Sequence, residues 1–247
     1  MSQPAANDAM PTNNDVSHKL QVAYIMDPLC GWCYAAAPIV EAMREEFGDQ
    51  LQWQIYLGGL IRESRVLGPR FRDHIMAASQ RIEQITGQTI GMGFKQMIQQ
   101  PDCALDSRPA SIAIHELILQ GDPEKTLDYI KRLQNHHFRE GFSLNETDLL
   151  ISATDGLLDD QTALKEKLSK RAEWSELMDP LFTQGHNMMT SSEGQGYPTF
   201  AIKYRGRYQK IQHEDFYGDP EGLIQALKPV VAEVVSGKVA TPQATEV

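Results

Sequence analysis

The sequence predicts an α/β fold in two halves, a strand–helix–strand unit and a hairpin followed by a helix, with a large all-helical insertion between them. Three observations predict it. Short apolar strands stand near both ends of the chain; helical periodicity fills most of the stretch from Arg62 to Gly185; and a Cys-x-x-Cys pair sits where the first strand gives way to the first helix.

A chain of 247 residues, 41% of them hydrophobic, can bury one large core or two smaller ones. Segments 19–61 and 196–235 are expected to form the α/β domain, and 62–195 the inserted helical domain. Positions 1–18 read as a leader without structure and 236–247 as a similar tail. The net charge of -10, from 33 acidic against 23 basic residues with no Lys/Arg run, argues against a nucleic-acid partner. No stretch approaches the ~20 apolar residues that span a bilayer, and the first twenty residues have neither the basic start nor the apolar run of a secretory signal. A cytoplasmic protein with no membrane partner is the expectation.

Lys19 to Met26, KLQVAYIM, is a β-type run stopped by Asp27-Pro28. After the cysteines, AAAPIVEAMREEFG sets Ile39, Val40, Met43 and Phe47 at helical spacing, with Gly48 as terminator and Pro38 as a kink in one continuous helix. Leu51 to Leu57, LQWQIYL, alternates as a second strand. The insertion reads as the helices FRDHIMAASQRIEQITG, FKQMIQQ, ASIAIHELILQ, PEKTLDYIKRLQNHHF, NETDLLISATDG and QTALKEKLSKRAEWSELM. Asp122-Pro123 with Glu124 marks one helix start, and an Asn145 cap followed by Asp148 marks another. His136 and His137 read as part of a solvated helix face, and Met188 to Gly196 as a mobile approach to the segment beyond. TFAIKY and RYQKIQ around Gly206 form an antiparallel hairpin, and a last helix begins near Gly218-Asp219-Pro220.

Three cysteines are too few, and odd in number, for a disulfide framework, so the thiols matter for chemistry. At a helix start the sulfur of Cys30 meets unpaired N–H groups, which favours its thiolate. Cys30 is therefore the expected nucleophile, and Cys33, one turn on and less exposed, the resolving thiol. The competing meaning of this spacing is half a zinc site, but its partner ligands are missing. Cys103 stands alone, and the seven histidines supply no HxxxH pair. Cys103 itself reads as an inert residue outside catalysis.

DPLCGWC after a strand, a long helical insertion, and GYPTF opening the second β unit together resemble the DsbA-like branch of the thioredoxin superfamily, over Lys19 to about Val235. More narrowly, DPLCGWCYAAAP resembles a cytosolic bacterial branch of FrnE-like and DsbM-like proteins. The resemblance implies a thioredoxin fold with a helical insertion, redox chemistry at Cys30 and Cys33, disulfide-containing protein substrates, glutathione as co-substrate and no tightly bound cofactor or metal. It also implies a cis Tyr197–Pro198 bond beside the cysteines, where an extended peptide or glutathione pairs with Tyr197; an ordinary strand-initiating proline is the alternative. Many proteins of this fold carry a buried carboxylate six residues before the first cysteine. Here that position is Tyr24, and Asp27 either takes the role or only caps the turn.

Gly-Trp between the cysteines supplies no cation to hold a thiolate, so reduction or isomerisation is expected ahead of strong oxidation. Trp32 either offers substrate an apolar face or packs against the insertion. Ser107 and Arg108 are candidates for holding a glutathione carboxylate, against a helix cap and a surface arginine. Asp219 marks helix-start amides that suit an anionic ligand end, or is a cap alone. Two other functions compete: a glutathione-dependent isomerase or transferase on the same fold, which usually carries Ser in place of the pair, and a non-catalytic, chaperone-like binding module.

Overall fold

The computed structural model of the protein describes residues 18–238. The expected leader lies outside them except for His18, and the expected tail except for Ser236–Lys238. β1 (Leu20–Met26) and β2 (Leu51–Leu57) are parallel, with Leu20 opposite Leu51 and Met26 opposite Leu57. The crossover between them holds α1 (Gly31–Ala35) and α2 (Ala37–Phe47). The insertion then runs through β3 (Arg65–Val66), α3 (Pro69–Thr86), α4 (Met92–Gln99), β4 (Ala104–Leu105), α5 (Arg108–Leu119), α6 (Pro123–Gln134), α7 (Thr147–Ser152), α8 (Thr162–Ser169) and α9 (Trp174–Ser191). β5 (Thr199–Tyr204), β6 (Arg207–Lys210) and α10 (Pro220–Val235) complete the chain. The sheet order is β2-β1-β5-β6, with β5 antiparallel to both neighbours. This is a thioredoxin fold with helices inserted between its βαβ and ββα halves.

β1 is buried on both faces, which is why its sequence is apolar almost throughout. Val22, Tyr24 and Met26 join the main core with Ile39 and Met43 of α2 and Leu223 and Leu227 of α10. Ala23 and Ile25 face the other way, toward Met189 of α9 and Ala201. At Gly185 α9 comes so near β2 that an added Cβ would stand 2.1 Å from the Leu57 carbonyl oxygen, so only glycine permits this approach. Arg44 fastens α2 to α6 through Glu124 at 2.7 Å and Asp128 at 2.9 Å. No described helix is long and apolar enough to cross a membrane.

Several local expectations are corrected. The helix after the cysteines is not continuous: it breaks at Ala36, and Pro38 falls in the first turn of α2. Pro38 has no N–H for the Tyr34 carbonyl, and the Gln88 amide donates to that oxygen instead, at 2.6 Å. Glu146, not Asn145, precedes α7, because the Asn145 side chain donates to Ala104 O at 2.8 Å. The segment QTALKEKLSKRAEWSELM divides into α8, a short turn and α9, and α9 takes in Met188 to Ser191. The insertion is not wholly helical, since β3 pairs with β4. A π-helical segment, Asn135–Glu140, follows α6 and buries His137, which is therefore not on a solvated face.

Candidate active site

The site begins where β1 ends. Asp27 is fully buried, and its carboxylate accepts from Leu29 N (2.9 Å), Leu60 N (2.7 Å) and the Ser107 hydroxyl (3.1 Å). Its main-chain oxygen accepts from Cys30 N at 3.1 Å, which turns the chain so that Cys30 precedes α1 with an extended backbone. Cys33 N and Tyr34 N then donate to Cys30 O. Both cysteines are free thiols; Cys30 is 7% exposed and Cys33 fully enclosed. Burial pushes the Cys33 thiol pKa well above its ordinary value, and the adjoining Cys30 and the Asp27 charge push the same way. Burial likewise raises the Asp27 carboxyl, opposed by its Leu60, Leu29 and Ser107 donors. Tyr24, buried and stacked on Phe200 at 4.6 Å, has its phenol raised chiefly by burial.

Across the sheet, the Tyr197–Pro198 bond is cis, and the Cys30 thiol donates to Tyr197 O at 3.3 Å. The Tyr197 ring lies flat over Gly58, where a Cβ would stand 2.5 Å away, and its hydroxyl donates to Gly58 O at 2.7 Å. Trp32 is half-buried, 5.4 Å from the Tyr217 ring, with the Arg81 guanidinium 5.9 Å above its own ring. The Tyr217 hydroxyl donates to Trp32 O at 3.3 Å, which pins the active-site helix from the side of α10.

Two recesses meet at Trp32 and Tyr197. The larger, about 760 Å³, has Cys30 in its wall and is bounded by α3, α4 and the loop after β2. The smaller, about 390 Å³, runs along Gly196 to Thr199 and is bordered by Arg81, Lys210 and His213.

No family model matches the chain. Over 138 residues it is 25% identical to the ClpXP adapter protein SpxH of Halalkalibacterium halodurans, covering 54% of this chain and 44% of that protein. The chain thus spans less than half the length of this curated relative. The solved structure of the cytosolic disulfide reductase DsbM from Pseudomonas aeruginosa matches at 26% identity and a TM-score of 0.70, over 86% of this chain and 99% of its own. The same protein with GSH gives a TM-score of 0.72, again at 26% identity, over 86% of this chain and 100% of its own. The chain is thus similar in sequence and fold to DsbA-like thiol–disulfide oxidoreductases of the thioredoxin superfamily. A 2-hydroxychromene-2-carboxylate isomerase shares the fold at 17% identity and a TM-score of 0.55, over 88% of this chain and 98% of its own.

In this DsbA-like chain the structure brings together Cys30, Cys33, Trp32, Tyr197 and Pro198. It does not bring Ser107, Arg108 or Asp219 to them. Ser107 is fully buried, donating to Asp27 and accepting from Ile61 N at 3.0 Å, so it has no face left for a ligand. The Arg108 guanidinium is held by Asp106 at 2.6 Å and by Ser175 at 2.7 Å, away from both recesses. Asp219 caps α10 by accepting from Gly222 N at 3.1 Å. Sequence reading missed Arg62 and Arg65 at the larger recess and Arg81 at the smaller. For Arg62 and Arg65 the signal was the polar run Arg62-Glu63-Ser64-Arg65 in the loop after β2. Arg81 gave none, because it lies in an ordinary amphipathic helix.

Proposed function

We propose that this oxidoreductase is a cytoplasmic disulfide reductase that uses glutathione. The observation that carries the reading is the Cys30 thiol held 3.3 Å from Tyr197 O, at the edge where an extended chain can pair, while Cys33 lies enclosed behind it. The likeness to a cytosolic disulfide reductase whose structure is also known with GSH supports both the direction and the co-substrate.

The Cys30 thiolate attacks one sulfur of the substrate disulfide; a Cys30–substrate disulfide forms and the other half leaves as a thiolate that takes up a proton. Cys33 then gives its proton to the Asp27 carboxylate and attacks Cys30 Sγ, so that the Cys30–Cys33 disulfide forms and the second substrate thiolate leaves with a proton. Two glutathione thiolates return the pair to the dithiol in turn, the first forming a mixed disulfide and the second releasing oxidised glutathione. The smaller recess suits glutathione, since it runs along the Tyr197 main chain and carries Arg81 for a carboxylate, while its Lys210 is paired with Glu214 at 2.7 Å.

The test is the glutathione-dependent reduction of insulin and of hydroxyethyl disulfide, followed as oxidised glutathione formed. The wild type turns both over, and Cys30→Ser does not. Equal activity in the two proteins would refute the reading. Suppression of insulin aggregation without any thiol turnover would favour a chaperone-like module instead.

A further inference from the structure

The larger recess exceeds what glutathione needs at Cys30. A space of about 150 Å³ admits a benzene-sized group, and this one is about 760 Å³. Its wall is mainly apolar: Phe71, Ile75 and Ile82 of α3 face Phe94, Ile98 and Phe138. Leu60 stands at its lip, 49% exposed. Ser79 and His137 are buried polar members of the wall, and the charged groups are Arg62, Glu63 and Arg65. Arg62 lies 5.6 Å over the Phe182 ring and Arg65 5.4 Å over Phe71; among the described residues neither guanidinium has a carboxylate within ion-pair distance. Glu63 borders the same recess, which leaves one net positive charge there. A mainly apolar chamber with few polar groups is the form of a small-molecule site, and one protein side chain would leave most of it unfilled.

We propose that the preferred substrate is a small amphipathic thiol in disulfide linkage to glutathione, its apolar body in this chamber and an anionic end at Arg62 and Arg65. The assignment rests on the glutathione-linked reading above. The glutathionyl half lies along Tyr197, and Cys30 attacks its sulfur. The bond from Cys30 to glutathione forms, the original disulfide breaks, and the amphipathic thiolate leaves the chamber and takes up a proton. Cys33 then gives its proton to Asp27 and attacks Cys30 Sγ, so that the Cys30–Cys33 disulfide forms and glutathione leaves as a thiolate that takes up a proton; two further glutathione thiolates reduce this disulfide in turn and leave as oxidised glutathione.

The test compares initial rates of oxidised glutathione formation on three mixed disulfides of glutathione, with 3-mercaptopropionate, 8-mercaptooctanoate and 8-mercaptooctan-1-ol. Five more methylenes entering the chamber should raise kcat/KM for 8-mercaptooctanoate at least roughly thirtyfold over 3-mercaptopropionate. Ala78→Phe, which fills the chamber from α3, should bring that ratio toward one. Arg62→Gln with Arg65→Gln should remove the preference for the carboxylate over the alcohol. Turnover of all three disulfides at similar kcat/KM would overturn the substrate assignment alone. Turnover of none would overturn the glutathione-linked reading and this assignment with it.

Discussion

The two sulfurs of the pair stand one helical turn apart in opposite kinds of space. Cys30 borders an apolar chamber and touches the Tyr197 carbonyl; Cys33 is closed in by the sheet, with the buried carboxylate of Asp27 acting on it. The chamber side is built largely by the insertion, whereas the enclosed side is built by β1 and the turn after it. One short helix thus presents an approachable thiol to what the insertion adds and keeps the other within the thioredoxin frame. In the proposed reaction, attack and resolution are divided by placement, since the two side chains are chemically the same.

The sharpest way to break this comparison is to exchange the roles. Cys30→Ser should lower disulfide turnover by at least roughly a thousandfold, because no other thiol reaches the chamber. Cys33→Ser should keep the first attack and lose the release. If Cys33→Ser proved the more damaging to the first, single-turnover step, the division of labour would be reversed.

A second prediction probes the chamber wall. His137 is fully buried, its Nδ1 2.9 Å from Phe142 O, and burial lowers its pKa to about 4 against 6.5 for the free side chain. Above pH 6.5 the folded and unfolded states both hold it neutral. As pH falls from 6.5 toward 4 the unfolded state takes the proton first, so stability drops, by roughly 3 kcal/mol in all. Urea unfolding at pH 7 and pH 4 should show that His137→Gln loses correspondingly less over this interval. Equal losses in both proteins would place the histidine in a wetter setting than the structure gives it.

The enclosed side has its own, smaller test. Asp27→Asn removes the charge but keeps the shape, and should slow expulsion of a mixed disulfide by Cys33 roughly tenfold at pH 7. Burial raises the Asp27 carboxyl above 3.8, so in the wild type this step should quicken as pH rises through that raised value and the acceptor ionises. The variant should lack this limb in stopped-flow measurements. Superimposable pH profiles would leave Asp27 with only the capping role.

The comparison also explains what could be read from sequence. β1, the β5–β6 hairpin, the cysteine pair and the Tyr-Pro step were legible because each is local: an apolar run next to a turn signal, or a motif at a helix start. The surroundings of the pair were less so. Ser107 joins Asp27 across 80 positions of sequence, a contact no periodicity announces, which is why it read as a ligand contact or a helix cap. His137 read as solvated because its neighbours His136, Arg139 and Glu140 are polar. The π-helical segment adds a residue to the turn and rotates the face, so that His137 and Phe138 turn inward while His136 meets Glu140 at the surface. Arg108 was taken for a free arginine, yet Asp106, two positions earlier, binds it in two places.

The central claim is that Cys30 exchanges with glutathione while Cys33 stands ready to expel it. Treating Cys33→Ser protein with oxidised glutathione and locating the adduct by tryptic mass spectrometry tests it most directly. One glutathione on the peptide that carries Cys30 is the predicted result; an adduct mainly on Cys103, or none at all, would contradict it.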